Sequence, residues 1–215
     1  MKPVSLYKFG GTEELLRRVQ KPFVAYFQNS APVLDIGCGR GVFLQLLAEA
    51  GIPAVGIDHS EEAIVSCQEK GLTVHHEDGC EFLGQSGGKF GGIFCSHVIE
   101  HMGYEDAMNF LELCYGALRA NGTILLITPN PKDLAVISEV FWLDPTHVRP
   151  YPGLLLKAML EAVGFKVSSE RQFLGDWRMV GRRNLPRYFL WKMLLGQYYG
   201  KSNTMVLAAK VEDSA

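Results

Sequence analysis

Short apolar runs alternate along this chain with stretches in which apolar residues recur at helical spacing. Val33-Leu34-Asp35-Ile36 ends in Gly37-Cys38-Gly39-Arg40-Gly41, and Val42 through Ala50 then keeps helical spacing until Gly51. This reads as a buried strand, a tight glycine turn and a helix. The alternation recurs downstream. Ala54–Asp58 is a second strand, Ser60 caps a helix that Gly71 ends, Leu72–His76 is a third strand and Phe90–Ser96 a fourth. An amphipathic helix from Asp106 to Leu118 is closed by Arg119-Ala120-Asn121-Gly122. Thr123–Ile127 is then a fifth strand, broken by Thr128-Pro129-Asn130-Pro131. A helix at Leu154–Val163 precedes a sixth strand opening at Gly164-Phe165, and Thr204–Ala209 reads as the seventh. Strands and helices in strict alternation predict a doubly wound α/β sheet.

Two segments stand apart from that rhythm. Residues 1–30 form an N-terminal arm in which Thr12 caps a short amphipathic helix with Glu13 and Glu14 in its first turn. The arm either covers the sheet edge or closes over the cleft as a lid. Residues 175–203 form an insertion between strands six and seven. It carries Arg178, Arg182, Arg183, Arg187 and Lys192 among Trp177, Tyr188, Phe189, Trp191, Tyr198 and Tyr199. In a helix, Leu185, Phe189, Leu195 and Tyr199 make one apolar stripe. Such a stripe docks on the domain or lies at a membrane interface.

Composition narrows the picture modestly. With 215 residues, 47% hydrophobic and 20% charged, one chain has enough apolar material for one sizeable core, so 1–215 is expected to be a single domain. The formal net charge of −2 gives no general reason to bind nucleic acid. No stretch has the length of a transmembrane helix, and the first residues lack the apolar core of a secretory signal. Five cysteines without a Cys-x-x-Cys pair point to free thiols in a reducing cytoplasm. These readings together describe a soluble cytoplasmic domain.

Spacing decides the ligand of the glycine turn. A dinucleotide fingerprint needs glycine at the position of Val42, whereas the third glycine here is Gly41. A P-loop needs a Gly-Lys-Ser/Thr ending, which is absent. Asp58, at the end of the second strand, is placed to accept both hydroxyls of a ribose. Asp35-x-Gly37-x-Gly39-x-Gly41 followed by Gly56-Ile57-Asp58 closely resembles the signature of class I S-adenosylmethionine-dependent methyltransferases. The resemblance runs from about Val33 to Lys210. It implies a Rossmann-like seven-stranded sheet, mostly parallel with an antiparallel last strand, and S-adenosylmethionine as cofactor. It also implies that Asp78 accepts from the adenine amino group while the backbone at Gly79 and Cys80 meets the ring. Asp35, Gly37, Cys38, Gly39, Gly41, Asp58, His59, Ser96 and His97 complete the expected cofactor set.

The acceptor side is read from two stretches. His97-Val98-Ile99-Glu100-His101 matches an inverted zinc-protease motif, but its first histidine sits at a strand end, so the two imidazoles would not converge on one helical face and no metal is expected. Phe141 through Pro152 is too rich in proline for a helix interior or a central strand, and it gathers Asp144, Thr146, His147 and Arg149 in one loop. A sugar hydroxyl needs a general base, for which His147 is the first candidate and His101 the second. An anionic acceptor needs a cationic clamp, which Arg149 can supply. Tyr7, Glu100, Asp144 and Arg149 are the expected substrate contacts. His147 can alternatively brace its loop.

Four motifs narrow the resemblance further. Leu34-Asp35-Ile36-Gly37-Cys38-Gly39-Arg40-Gly41, His97-Val98-Ile99-Glu100-His101, Thr128-Pro129-Asn130-Pro131 and Leu143 through Pro150 look like methyltransferases of bacterial surface-glycan (O-antigen type) synthesis. Where that group often has Phe-Arg-Gly before the first helix, this chain has Phe9-Gly10-Gly11, leaving Lys8 or Arg40 to supply the missing cation. The resemblance implies a small-molecule or glycan acceptor. The local positive charge and apolar stripe of 175–203 add an anionic, glycan-linked or lipid-linked acceptor with peripheral membrane contact through that segment. Two other functions fit parts of the pattern: a catalytically silent subunit that binds S-adenosylmethionine, and a nucleotide-dependent oxidoreductase.

Overall fold

The computed structural model describes residues 12–173 and 185–211, without the side chains of residues 185 and 187. Its strands are β1 (Val33–Ile36), β2 (Ala54–Asp58), β3 (Val74–His76), β4 (Phe90–Ser96), β5 (Leu118–Pro129), β6 (Phe165–Phe173) and β7 (Asn203–Lys210). They form one seven-stranded sheet in the order β3-β2-β1-β4-β5-β7-β6. Strands β1 to β5 pair in parallel, while β7 lies between β5 and β6 and is antiparallel to both. The expected mostly parallel sheet with an antiparallel last strand is therefore present.

The central strands β1, β4 and β5 are apolar on both faces because helices cover both. Leu34, Ile36, Ile93, Cys95, Ile124 and Leu126 pack on one side, beneath α4 (Gly79–Gly84), α5 (Tyr104–Ala117) and α7 (Gly153–Val163). Val33, Phe94, Leu125 and Ile127 point the other way, onto α2 (Val42–Glu49) and the 3-10 turn at Lys21–Phe27. This period of two within continuous apolar runs is what a strand buried on both faces requires. Phe43 stacks on Phe94 with ring centroids 3.8 Å apart, and Phe27 meets both rings edge-on.

The N-terminal helix α1 (Glu13–Gln20) begins as expected, with the Thr12 hydroxyl accepting from the Leu15 N–H at 3.3 Å. Ser60 likewise caps α3 (Glu61–Glu69). Several elements differ from the sequence reading, among them α4 and the 3-10 turn at Lys21–Phe27, neither of which the sequence pattern predicts. Arg119 to Gly122 do not form a separate turn: β5 starts at Leu118, and the turn-forming residues are absorbed in a bulge with Asn121 at φ 60°. A short helix α6 (Leu134–Ser138), capped by Asp133, follows the proline break, where the sequence pattern predicts no element. The last helix is α8 (Leu185–Leu195). Among the described residues, no helix is long and apolar enough to cross a membrane.

Candidate active site

The glycine turn joins β1 to α2 at the carboxyl end of the sheet. Gly37, Gly39 and Gly41 all have positive φ, at 68°, 52° and 74°. A Cβ at Gly37 would lie 2.6 Å from Val98 Cγ2, and one at Gly41 would lie 2.5 Å from Leu72 Cδ1 and 2.8 Å from Cys67 Sγ. Both conformation and space therefore demand glycine. Asp58 fixes the turn from β2: its Oδ2 accepts from the Gly39 N–H and its Oδ1 from the Ser60 N–H, each at 2.8 Å. Each carboxylate oxygen keeps a further lone pair for a hydroxyl donor.

Asp35 is buried, and its Oδ2 has no hydrogen-bond partner among the described residues. Burial, helped by the neighbouring Cys67 and Asp58, pushes its carboxyl well above the usual range. An acceptor left without a donor beside a glycine turn suits the ammonium group of an amino-acid moiety, and the Asp58 lone pairs suit a ribose. These residues fit S-adenosylmethionine.

Other members of the expected cofactor set take varied positions. Cys38 directs its thiol into a buried cluster with Leu44 and Cys67, where the hydrogen bond to Cys67 and burial push its pKa up. Asp78 caps α4, its Oδ1 accepting from the Cys80 N–H at 2.8 Å and the Glu81 N–H at 3.2 Å. The Cys80 N–H is thus already paired, leaving the second oxygen of Asp78 and the backbone at Gly79 as the groups suited to an adenine. His59 is almost fully exposed. Ser96 ends β4 and His97 follows it at φ 60°, a left-handed conformation unusual for a residue with a side chain.

On the acceptor side, Glu100 is the hub. It has no exposed surface. Its Oε1 meets His97 Nδ1 at 3.0 Å and its Oε2 accepts from the Thr128 hydroxyl at 3.0 Å. Burial works against its charge, but the His97 hydrogen bond and charge outweigh that and hold its pKa below the usual value. His97 keeps about half of its side chain in water (48% exposed). The hydration it does lose opposes its charging, and the Glu100 hydrogen bond and charge more than compensate, so its pKa lies above that of an ordinary histidine. The Glu100 backbone carbonyl accepts from Val148 N–H at 2.8 Å and Arg149 N–H at 3.3 Å, which ties the 141–152 loop to the end of β4. Expected as a substrate contact, Glu100 is instead enclosed, with both carboxylate oxygens occupied.

That tie brings His101 and His147 together, with ring centroids 4.8 Å apart. His147 Nδ1 lies 2.6 Å from the Phe141 carbonyl oxygen, so Nδ1 carries the proton and Nε2 offers its lone pair. The Thr146 hydroxyl donates to Asp144 at 2.5 Å and therefore accepts from His101 Nδ1 at 2.9 Å. His101 thus also presents Nε2. Partial burial disfavours charge on Asp144, but the Thr146 hydroxyl and N–H, with the two imidazoles, hold it below the usual carboxylate range. Arg149 lies over the rings of Tyr151, at 5.1 Å, and Tyr104, at 6.0 Å. No local pattern singles out Thr128 or the Phe141 carbonyl, and only the Asp-Pro-Thr-His spacing points to Thr146.

The metal argument from sequence compares His97 with His101. In the fold, Glu100, His101 and His147 converge instead, with potential ligand atoms all within 4.8 Å of one another. Tyr7, Lys8 and Phe9 of the arm, and Trp177, Arg178, Arg182 and Arg183 of the insertion, lie outside the described residues.

A glycine turn held by a strand-end aspartate at the carboxyl end of a doubly wound sheet is the arrangement of a nucleoside-cofactor enzyme. The family model for the methyltransferase domain matches residues 10–170, and the chain belongs to the S-adenosylmethionine-dependent methyltransferases. A SAM-dependent methyltransferase from Archaeoglobus fulgidus is 31% identical, with a TM-score of 0.81 over 94% of this chain and 96% of that one. Ubiquinone biosynthesis O-methyltransferase of Methylococcus capsulatus is 34% identical over 103 residues, 45% of this chain and 43% of the relative. The protein of the same name in Azorhizobium caulinodans is 28% identical over 179 residues, 74% of this chain and 69% of the relative. The chain spans under half the length of the first of these curated relatives.

Proposed function

We propose that this chain transfers a methyl group from S-adenosylmethionine to an oxygen acceptor, with His147 as general base. The observation that carries this reading is the His147 ring, held by the Phe141 carbonyl so that Nε2 presents its lone pair, 4.0 Å from Asp144 Oδ2. When bound, S-adenosylmethionine supplies an electrophilic methyl group on a sulfonium. Gly37–Gly41, Asp35 and Asp58 would hold it, with Asp78 and Gly79 at the adenine. As the acceptor oxygen attacks, His147 Nε2 takes its proton, and anionic Asp144 stabilises the resulting imidazolium. Arg149 orients an anionic portion of the acceptor, and His101 stands beside His147 as the second base.

The relatives support a small-molecule O-acceptor by their names. The narrower acceptor, glycan or lipid-linked, rests on the Leu143 to Pro150 motif and on the insertion; peripheral membrane contact rests on the insertion, and a cytoplasmic location on the unpaired cysteines. The test is transfer of radiolabelled methyl from S-adenosylmethionine to a panel of hydroxyl acceptors and to cell-extract glycans and lipids. Labelled product that disappears in His147→Ala supports the reading; cofactor binding without transfer to any acceptor supports a silent subunit.

The approach of His101 and His147, whose potential ligand atoms lie within 4.8 Å of each other, favours one second reading, a divalent cation held by the two imidazoles. Dialysis against a chelator separates the two: a general base leaves turnover unchanged, whereas a cation makes it metal-dependent.

A further inference from the structure

Among the described residues, nothing covers the outer, apolar face of α8. The opposite face is docked: the Tyr188 hydroxyl donates to the Gly200 carbonyl, and Trp191 and Leu195 line a shallow cavity with Leu134, Ala135 and Ser138 of α6. Phe189, Leu190, Met193 and Leu194 are 63%, 49%, 75% and 62% exposed. Their spacing puts them on one side of the helix, and none carries charge. The sequence pattern puts Phe189 on one stripe with Leu195; in the fold Leu195 faces α6 while Phe189 lies on the outer face.

We propose that this face seats the enzyme on an anionic lipid bilayer and that the acceptor is drawn from that membrane; the second clause rests on the proposed methyl transfer. Charge supports this occupant. Residues 175–203 contain six lysines and arginines against one acid, whereas the remainder of the chain has fifteen against twenty-two. An interfacial helix combines such an apolar face with local basic charge. Position supports the membrane too. Helix α6, which shares that cavity with α8, leads directly to Val140, Trp142 and Leu143, which are 53%, 60% and 47% exposed, and then to the His147 loop. Trp142, and Trp191 at the margin of the docked face, are the residue type favoured at a membrane–water interface.

The experiment is co-sedimentation of the full chain with phosphatidylglycerol–phosphatidylcholine vesicles and with phosphatidylcholine alone, at low and high salt. Binding to the anionic vesicles is expected, falling about tenfold or more at high salt. The double variant Phe189→Ser, Met193→Ser should lose about tenfold or more of that binding while its S-adenosylmethionine affinity stays unchanged. Absence of binding at low salt, or a double variant that binds like the parent, overturns the inference. Concentration-dependent dimerisation in sedimentation velocity, abolished by the same variant, also overturns it by assigning the face to a second copy. Vesicle binding is measured without turnover, so a chain that binds vesicles yet transfers no methyl group fails the proposed function and not the docking surface.

Discussion

Replacing Glu100 with Gln isolates the charge at the centre of the acceptor side. The carboxylate is fully enclosed and bonded to Thr128 and His97, each at 3.0 Å. Gln preserves the volume and a neutral bond to Thr128, so the loss is chiefly the charged partnership with His97. Hydrogen bonds to charged groups contribute about 1.5–3 kcal/mol. The His97 side chain is 48% exposed, and water competition places the expected loss at the lower end, about 1.5 kcal/mol. Glu100→Ala, which also strands the buried Thr128 hydroxyl, should cost about 1–3 kcal/mol more than Glu100→Gln. The cost has a pH signature. The lowered Glu100 pKa contributes stability above the unfolded value, lost as pH falls through the native one. The raised His97 pKa contributes stability that is complete below the unfolded value and lost as pH rises through the native one. The difference between wild type and Gln should therefore peak between about pH 4.5 and 6.5 and shrink on either side. Urea unfolding across pH measures it. A difference below about 0.5 kcal/mol, or one that stays flat from acid to alkaline pH, refutes the reasoning.

Gly41→Ala should lower stability by about 2–4 kcal/mol, combining a left-handed backbone with overpacking against Leu72 and Cys67. Gly51→Ala, at φ 71° with nothing within 4 Å, should show only the backbone part, about 1–2 kcal/mol, so paired denaturation curves separate the two causes. His147→Ala should reduce turnover by about 10²–10⁴ while calorimetry finds cofactor affinity within about twofold. Thr146→Val removes a bond that lowers the Asp144 pKa, so the stability present above about pH 4 and lost on acidification should shrink in acid unfolding.

The sheet was legible because its central strands are continuous apolar runs, buried on both faces, and its turns carry glycines at required positions. Asp58 was legible from its place at a strand end. Helix α6 was not, since five residues give too little periodicity to register. The Arg119–Gly122 segment misleads because turn-forming residues also make bulges. The pairing of His101 with His147 depends on backbone bonds to the Glu100 carbonyl from a loop more than 40 residues further along the chain, and no local pattern encodes such a contact. Apolar residues occupy both faces of α8, so periodicity alone cannot select the docked one.

Calorimetric titration of the purified chain with S-adenosylmethionine, its demethylated product and NAD, in wild type and Asp58→Ala, tests the central claim most directly. The account predicts binding of the first two, no competing affinity for NAD, and a loss of about 1.5–3 kcal/mol in Asp58→Ala. Unchanged affinity in that variant, or tighter binding of NAD, would contradict it.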